Sequence, residues 1–185
     1  MRVIAGEARS LPLKAPVGIE TRPTTDRIKE TLFNMIQDRI GDSVFIDIFS
    51  GSGAIGIEAI SRGAKKAYFI ESDKKALGCI RDNLNFTRFS NRAEVLGQDA
   101  NSAIYSIRER ADIVFMDPPY KSGLETHILS ILYELDFVDS DTLIIIEASL
   151  EKDSRAYEEC GFSIWKEKKY KSNKHVFLYK KIEQC

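Results

Sequence analysis

Histidine and cysteine are scarce in this sequence. His127 and His175 are the two histidines, and Cys79, Cys160 and Cys185 lie far apart. A structural or catalytic metal centre draws on several imidazoles or thiolates at ligand spacing, so no metal site is expected. An odd set of distant cysteines also argues against a disulfide framework. No apolar run approaches the roughly 18–20 residues of a membrane span. The opening "MRVIAGEARS" has no apolar signal core, so a cytoplasmic protein with no membrane partner is expected. Charge of one sign is missing too: 27 Lys and Arg stand against 28 Asp and Glu, a net charge of −1. A protein that binds a polyanion with that balance must concentrate its positive charge locally. Repeats, low-complexity tracts and Gly/Ser linkers are absent. The length of 185 residues fits one domain with a sizeable core, taken as a monomer.

What is present is an alternation. "VFIDIF" (44–49), "AYFIES" (67–72), "AEVLGQ" (93–98), "DIVFMD" (112–117) and "TLIIIEA" (142–148) are short, nearly continuous apolar runs, as buried parallel strands are. Between them, residues 53–62, 73–88, 100–109, 123–134 and 151–160 carry helical spacing. Strand alternating with helix predicts a doubly wound α/β sheet. The end differs: "FSIWKEKKY" and "KHVFLYKK" flank "KSN" and predict an antiparallel hairpin. Ahead of the first strand, "TTDRIKETLFNMIQDRI" predicts a helix capped by Thr24 or Thr25. Residues 1–20 form a small extended appendage, in which "RVIA", "GEAR" and "SLPLKAP" suit a hairpin; residues 21–185 form the main domain.

The first strand runs into Gly51-Ser52-Gly53-Ala54-Ile55-Gly56, and Glu71 lies twenty residues after Gly51. A glycine loop between strand and helix with an acid on the next strand is a nucleotide-type cofactor fingerprint. Three glycines in six residues carry a conformational cost that a plain turn does not require. In an open α/β sheet the ligand sits outside the carboxyl ends of the strands. Those ends carry Asp47, Glu71, Asp99 and Asp117. Four carboxylates would repel the pyrophosphate of NAD, which disfavours an oxidoreductase. They suit a ligand with a cation, ribose hydroxyls and an amine, and S-adenosylmethionine has all three.

The fourth strand ends in Asp117-Pro118-Pro119-Tyr120. Proline lacks an N–H and drives the residue before it out of helical conformation. The segment is therefore stiff and presents acceptors only: the Asp117 carboxylate and the Asp117 and Pro118 carbonyls. Tyr120 adds a flat face. Acceptors beside a stacking platform suit the exocyclic amine of a nucleobase.

These residues resemble a known family. "DIFSGSG" is similar to the cofactor loop of Rossmann-like S-adenosylmethionine-dependent methyltransferases, and "DPPY" to the motif of amino-methyltransferases acting on nucleic acid. "TRPTTDRIKETLFN" (21–34) and "RVIAGEARSLPL" resemble the RsmD-type 16S ribosomal RNA guanine-N2 methyltransferases. The resemblance covers nearly the whole chain. It implies a mostly parallel seven-stranded sheet with the C-terminal hairpin, and methyl transfer from S-adenosyl-L-methionine to guanine N2 in small-subunit ribosomal RNA, free or in a partly assembled subunit. It places Asp117, Pro118, Pro119 and Tyr120 at the reacting amine. Asp47, Gly51 and Gly53 would serve the methionine part of the cofactor, Glu71 the ribose and Asp99 the adenine amine, with Ser50, Ser52 and Ser72 adjacent. Arg2, Arg9, Lys14 and Arg22 are candidate RNA contacts. Arg22 and Thr24 could hold the methionine carboxylate, hold an RNA phosphate, or only begin a helix. The alternatives are an adenine-N6 methyltransferase on RNA or DNA, a nicotinamide-dependent oxidoreductase, and a ribosome-assembly binding protein.

Overall fold

A computed structural model describes residues 1–16, 25–119 and 123–182. Five parallel strands form most of one sheet: β1 (Val44–Ile48), β2 (Lys66–Ile70), β3 (Ala93–Leu96), β4 (Ile113–Met116) and β5 (Leu143–Ala148). β6 (Phe162–Lys169) and β7 (Lys174–Lys180) close it as a hairpin, with β7 antiparallel to β5. The order is β3-β2-β1-β4-β5-β7-β6. The winding reverses at β1, whose neighbours β2 and β4 lead away in opposite directions. A crevice therefore opens at the carboxyl ends of β1 and β4.

The apolar runs are continuous because both faces are covered. Phe45, Phe69, Phe115 and Phe177 point to one face, packed by α1 (Asp26–Met35), α2 (Ala54–Ser61) and α3 (Lys74–Thr87). Ile46, Val114, Ile144 and Leu178 point to the other, packed by α4 (Ala100–Ala103), α5 (Leu124–Glu134) and α6 (Arg155–Glu159). Each such side chain contributes roughly 1.5–3 kcal/mol by leaving water. Among the described residues no helix is long and apolar enough to cross a membrane.

Three helices are shorter than their periodicity predicts. Thr25 caps α1 by accepting from Ile28 N at 3.3 Å, but the helix ends at Met35 and a 3-10 turn, Gln37–Arg39, follows. The predicted helix at 100–109 stops at Ala103 and continues as a 3-10 turn to Ser106. Asn101, Ser102 and Ser106 compete with the backbone for hydrogen bonds, which favours caps and turns over helix interior. The helix expected at 151–160 begins only at Arg155.

The N-terminal residues make one isolated antiparallel bridge, Arg2 to Pro12, not a full hairpin ladder. Pro12 has no N–H to extend the pairing. The segment is instead pinned to α2. Buried Glu58 accepts from Ile4 N at 2.8 Å and Ala5 N at 3.0 Å, and the Ser61 hydroxyl donates to Ala5 O at 2.6 Å. Val3, Ala8 and Leu13 enter the core. A Cβ on Gly6 would stand 1.8 Å from Ser61 O, so the backbone approach itself requires glycine there. The boundary expected near residues 20 and 21 lies outside the described residues.

Candidate active site

The turn after β1 sets the geometry. Phe49 is a non-glycine residue at φ 62°, followed by Gly51 at φ 55° and Gly53 at φ 77°. A bulky side chain in the left-handed region is strained, and such strain concentrates at ligand sites. The other glycine serves packing: a Cβ on Gly56 would meet Phe69 Cε1 at 2.4 Å, so its absence lets α2 lie against β2. A Cβ on Gly51 would meet nothing within 4 Å. The loop is open to the crevice at that point.

Around this loop the strand-end acids take different roles. Asp47 is buried on β1, and its Oδ2 accepts from Gly56 N at 3.0 Å. Burial, with a smaller push from the Glu71 charge, raises its carboxyl to about 7 against the pull of the Gly56 N–H. Glu71 follows β2. Its Oε2 accepts from Gly51 N at 2.9 Å, and its Oε1 from Ser72 N and Asp73 N, each at 2.8 Å. Glu71 thus stitches the glycine loop to the start of α3 and keeps acceptor capacity on Oε2. Ser50 is a turn pin: its hydroxyl lies 2.6 Å from Asp47 O and 3.2 Å from Ile70 O. Asn83 of α3 donates to Ser52 O at 3.0 Å and to Lys14 O at 3.1 Å, tying the loop to the N-terminal segment. Asp99 is exposed and caps α4, accepting from Asn101 N at 2.9 Å.

Asp117 directly follows β4, with its N–H donating to Ile48 O at 3.4 Å. No hydrogen bond reaches its carboxylate from the described residues. Burial raises its proton affinity well above the ordinary carboxylate range, and the charges of Glu147 and Asp47 add to this. Pro118 is buried and Pro119 exposed. Around the switch point the Glu71 charge thus bears on Asp47, and the Asp47 charge on Asp117. Tyr120, Arg22 and Thr24 lie outside the described residues.

The structure adds a group that sequence reasoning passed over. Glu147, near the end of β5, is buried, and its Oε2 lies 3.2 Å from His175 Nε2. The other His175 nitrogen, Nδ1, lies 3.2 Å from the Tyr170 hydroxyl, and Asn173 Nδ2 donates to Glu147 Oε1 at 2.5 Å. Asn173 Oδ1 is a buried acceptor with no partner among the described residues. The signal for Glu147 was available: "TLIIIEA" ends an apolar strand with an acid, as the other strands do. His175 and Asn173 gave none, since they meet Glu147 only through the β5–β7 pairing, which sets Glu147 opposite His175.

The RNA candidates fall differently. Arg2 pairs with Asp26 at 3.2 Å and Lys14 with Asp82 at 2.7 Å, so both exposed cations already face a carboxylate. Arg9 is exposed and makes no ion pair within the described residues.

What the site can hold follows from its donors and acceptors. The crevice offers carboxylate acceptors, an open glycine and the Asp117 carboxylate, which takes no donor from the described residues. Among those residues no group of three or more His, Cys, Asp or Glu could hold a metal ion. Sheet order, glycine turn and acid-lined strand ends define the class: a Rossmann-like methyltransferase. A solved Escherichia coli structure, described as a candidate methyltransferase, has this fold with a TM-score of 0.81 and 31% identity over 99% of both chains.

Within that class the chain belongs to the family described as Conserved hypothetical protein 95, whose model matches residues 1–180. It is 37% identical over 173 residues to the Ribosomal RNA small subunit methyltransferase D of Haemophilus influenzae, covering 91% of this chain and 88% of that one. To the protein of the same name in Escherichia coli strain K12 it is 36% identical over 151 residues, 82% of this chain and 76% of that one.

Proposed function

We propose that this protein transfers a methyl group from S-adenosylmethionine to the exocyclic N2 amine of a guanine in small-subunit ribosomal RNA, acting as a cytoplasmic monomer. The observation that carries the reading is Asp117. A half-buried carboxylate directly after β4, set beside Glu147 and Asp47 and taking no donor from the described residues, offers its acceptors to a donor-rich ligand. The relatives named as small-subunit ribosomal RNA methyltransferases support RNA as the carrier of that amine.

The residues fit the cofactor. Asp47 would face its cationic methionine end near Gly51 and Gly53, Glu71 Oε2 its ribose, and Asp99 its adenine amine, with Ser52 and Ser72 alongside. When bound, the cofactor supplies an electrophilic methyl carbon. The protein's part is to make a poor nucleophile usable. An aromatic amine is weak because its lone pair is delocalised into the ring. The Asp117 carboxylate and the Pro118 carbonyl accept its two hydrogens and so direct the lone pair out of the ring plane. Pro118 and Pro119 hold that pair of acceptors stiff, and Tyr120 stacks on the flipped base. Asp117, with its raised proton affinity, then takes the proton that the methylated nitrogen loses. The catalysis is mostly positioning and preorganised electrostatics.

Labelled-methyl transfer to 16S ribosomal RNA and to DNA from cells lacking the protein tests the reading, with the product nucleoside identified by mass. N2-methylguanosine is expected. N6-methyladenosine would replace the substrate base, and no transfer to RNA would overturn the proposal.

A further inference from the structure

Arg2 and Lys14 pair with carboxylates, which leaves Arg9 alone of the described N-terminal candidates, so the question becomes where a nearly neutral protein keeps charge for RNA. We propose that a cavity of about 510 Å³, between the start of α1 and the β6–β7 turn, holds backbone phosphates of the RNA beside the nucleotide being methylated. The inference rests on the reading of the protein as a ribosomal RNA methyltransferase.

Three observations carry it. First, among the described residues the lining includes Arg27, Lys168, Lys169 and Lys171, with Thr31 and Tyr170 between them, and no carboxylate. All four cations are exposed, and none makes an ion pair with a described residue. The nearest acids along the chain are already engaged: Asp26 by Arg2 at 3.2 Å and Glu167 by Lys174 at 3.2 Å. Second, the four come from two distant stretches of chain, which the fold brings to one concave surface. A solvated charge run on a single element would not do this. Third, the cavity is joined to the amine clamp. Tyr170 lines it, and the Tyr170 hydroxyl meets His175, which meets Glu147, whose charge bears on Asp117. The β4–β5 register, Met116 opposite Ile146, sets Glu147 beside Asp117, so phosphates held in the cavity would flank a base brought to Asp117. The chemistry is sequence-independent: mobile ammonium groups and one guanidinium meeting phosphate oxygens.

The test uses the full chain and 16S ribosomal RNA from cells lacking the protein, titrated between about 50 and 200 mM salt. Lys168→Gln, Lys169→Gln and Lys171→Gln are combined in one variant, and Arg2→Gln, Arg9→Gln and Lys14→Gln in another. The cavity variant should bind RNA more weakly and flatten the salt slope by about 2, since each phosphate left without its cation on single-stranded RNA accounts for about 0.7. It should keep its affinity for S-adenosylhomocysteine, measured by calorimetry, and lose methyl transfer at limiting RNA more than at saturating RNA. The N-terminal variant should change the slope less. Unaltered RNA affinity and slope in a cavity variant that still binds S-adenosylhomocysteine would overturn the inference. So would a larger effect in the N-terminal variant. If the wild-type protein neither binds nor methylates this RNA, the functional reading itself fails, which the same titration shows before any variant is compared.

Discussion

Glu71 and Asp47 are neighbours with opposite demands. Glu71 gives three of its acceptor positions to backbone N–H groups. Glu71→Ala is therefore expected to act twice: S-adenosylhomocysteine should bind about 10–100-fold more weakly, in line with losing hydrogen bonds to a charged group, and the melting temperature should fall as the loop loses its tie to α3. Calorimetric titration and thermal unfolding separate the two, and unchanged affinity would remove Glu71 from the cofactor site. Asp47 is tuned by burial, which pushes its carboxyl up to about 7. In the unfolded chain the same group ionises near 4. The folded state thus holds this proton longer, so its contribution to stability is largest at acid pH and declines as pH rises from about 4 to 7. A cationic ligand reverses the preference by favouring the carboxylate. Affinity for S-adenosylmethionine should then rise with pH up to about 7 and binding should release a proton, read as a buffer-dependent heat. Asp47→Asn should abolish that release; if it does not, Asp47 is not the group that senses the ligand.

At the scale of elements, the glycine turn separates packing from binding. Gly56→Ala would put a methyl 2.4 Å from Phe69 Cε1, and overpacking of this kind costs about 1–3 kcal/mol. Denaturant unfolding should show that loss with an unchanged slope. Gly51→Ala meets no atom within 4 Å, and its only strain is the positive φ. It should stay folded yet bind S-adenosylhomocysteine poorly, because the new methyl projects into the open crevice. These two glycines show how far the sequence could be read. The strand–loop–helix pattern and the placement of Asp47, Glu71 and Asp117 at strand ends follow from period and position alone, since both faces of the sheet are buried. The different jobs of Gly51 and Gly56 do not, because they depend on what stands opposite in space. The same holds for Glu147, whose partners His175 and Asn173 arrive through a strand pairing, and for Glu58, which reads as an ordinary helical glutamate. Helix starts were legible at α1, α2, α3 and α5, where Thr25, Gly53, Asp73 and Gly123 stand just ahead, whereas the polar residues that stop α4 at Ala103 did not outweigh the apparent period.

Across the whole molecule, buried charge holds the N-terminal segment and α1 onto the catalytic sheet. Glu58, fully buried, lies 3.2 Å from Lys29 Nζ and 2.7 Å from Arg62 Nε. Lys29 is itself buried, and its Nζ donates to Arg2 O at 2.6 Å. Burial pulls the Lys29 ammonium below its usual range, and the Glu58 charge opposes this. Glu58→Ala would leave that ammonium buried without its counter-ion, a loss of about 3–5 kcal/mol. Chemical denaturation should show the loss, and hydrogen exchange should show residues 1–16 opening first. Retained protection there would mean that apolar packing of Val3 and Leu13 suffices. The proposed chemistry turns on Asp117 as the acceptor that orients an amine nitrogen. Single-turnover methyl transfer to 16S ribosomal RNA, with wild-type, Asp117→Ala and Asp117→Asn proteins preloaded with S-adenosylmethionine, tests it directly. The expected result is full transfer by wild-type, partial transfer by Asp117→Asn, which keeps one acceptor oxygen, and none by Asp117→Ala although cofactor remains bound. Wild-type rates in Asp117→Ala would contradict that role.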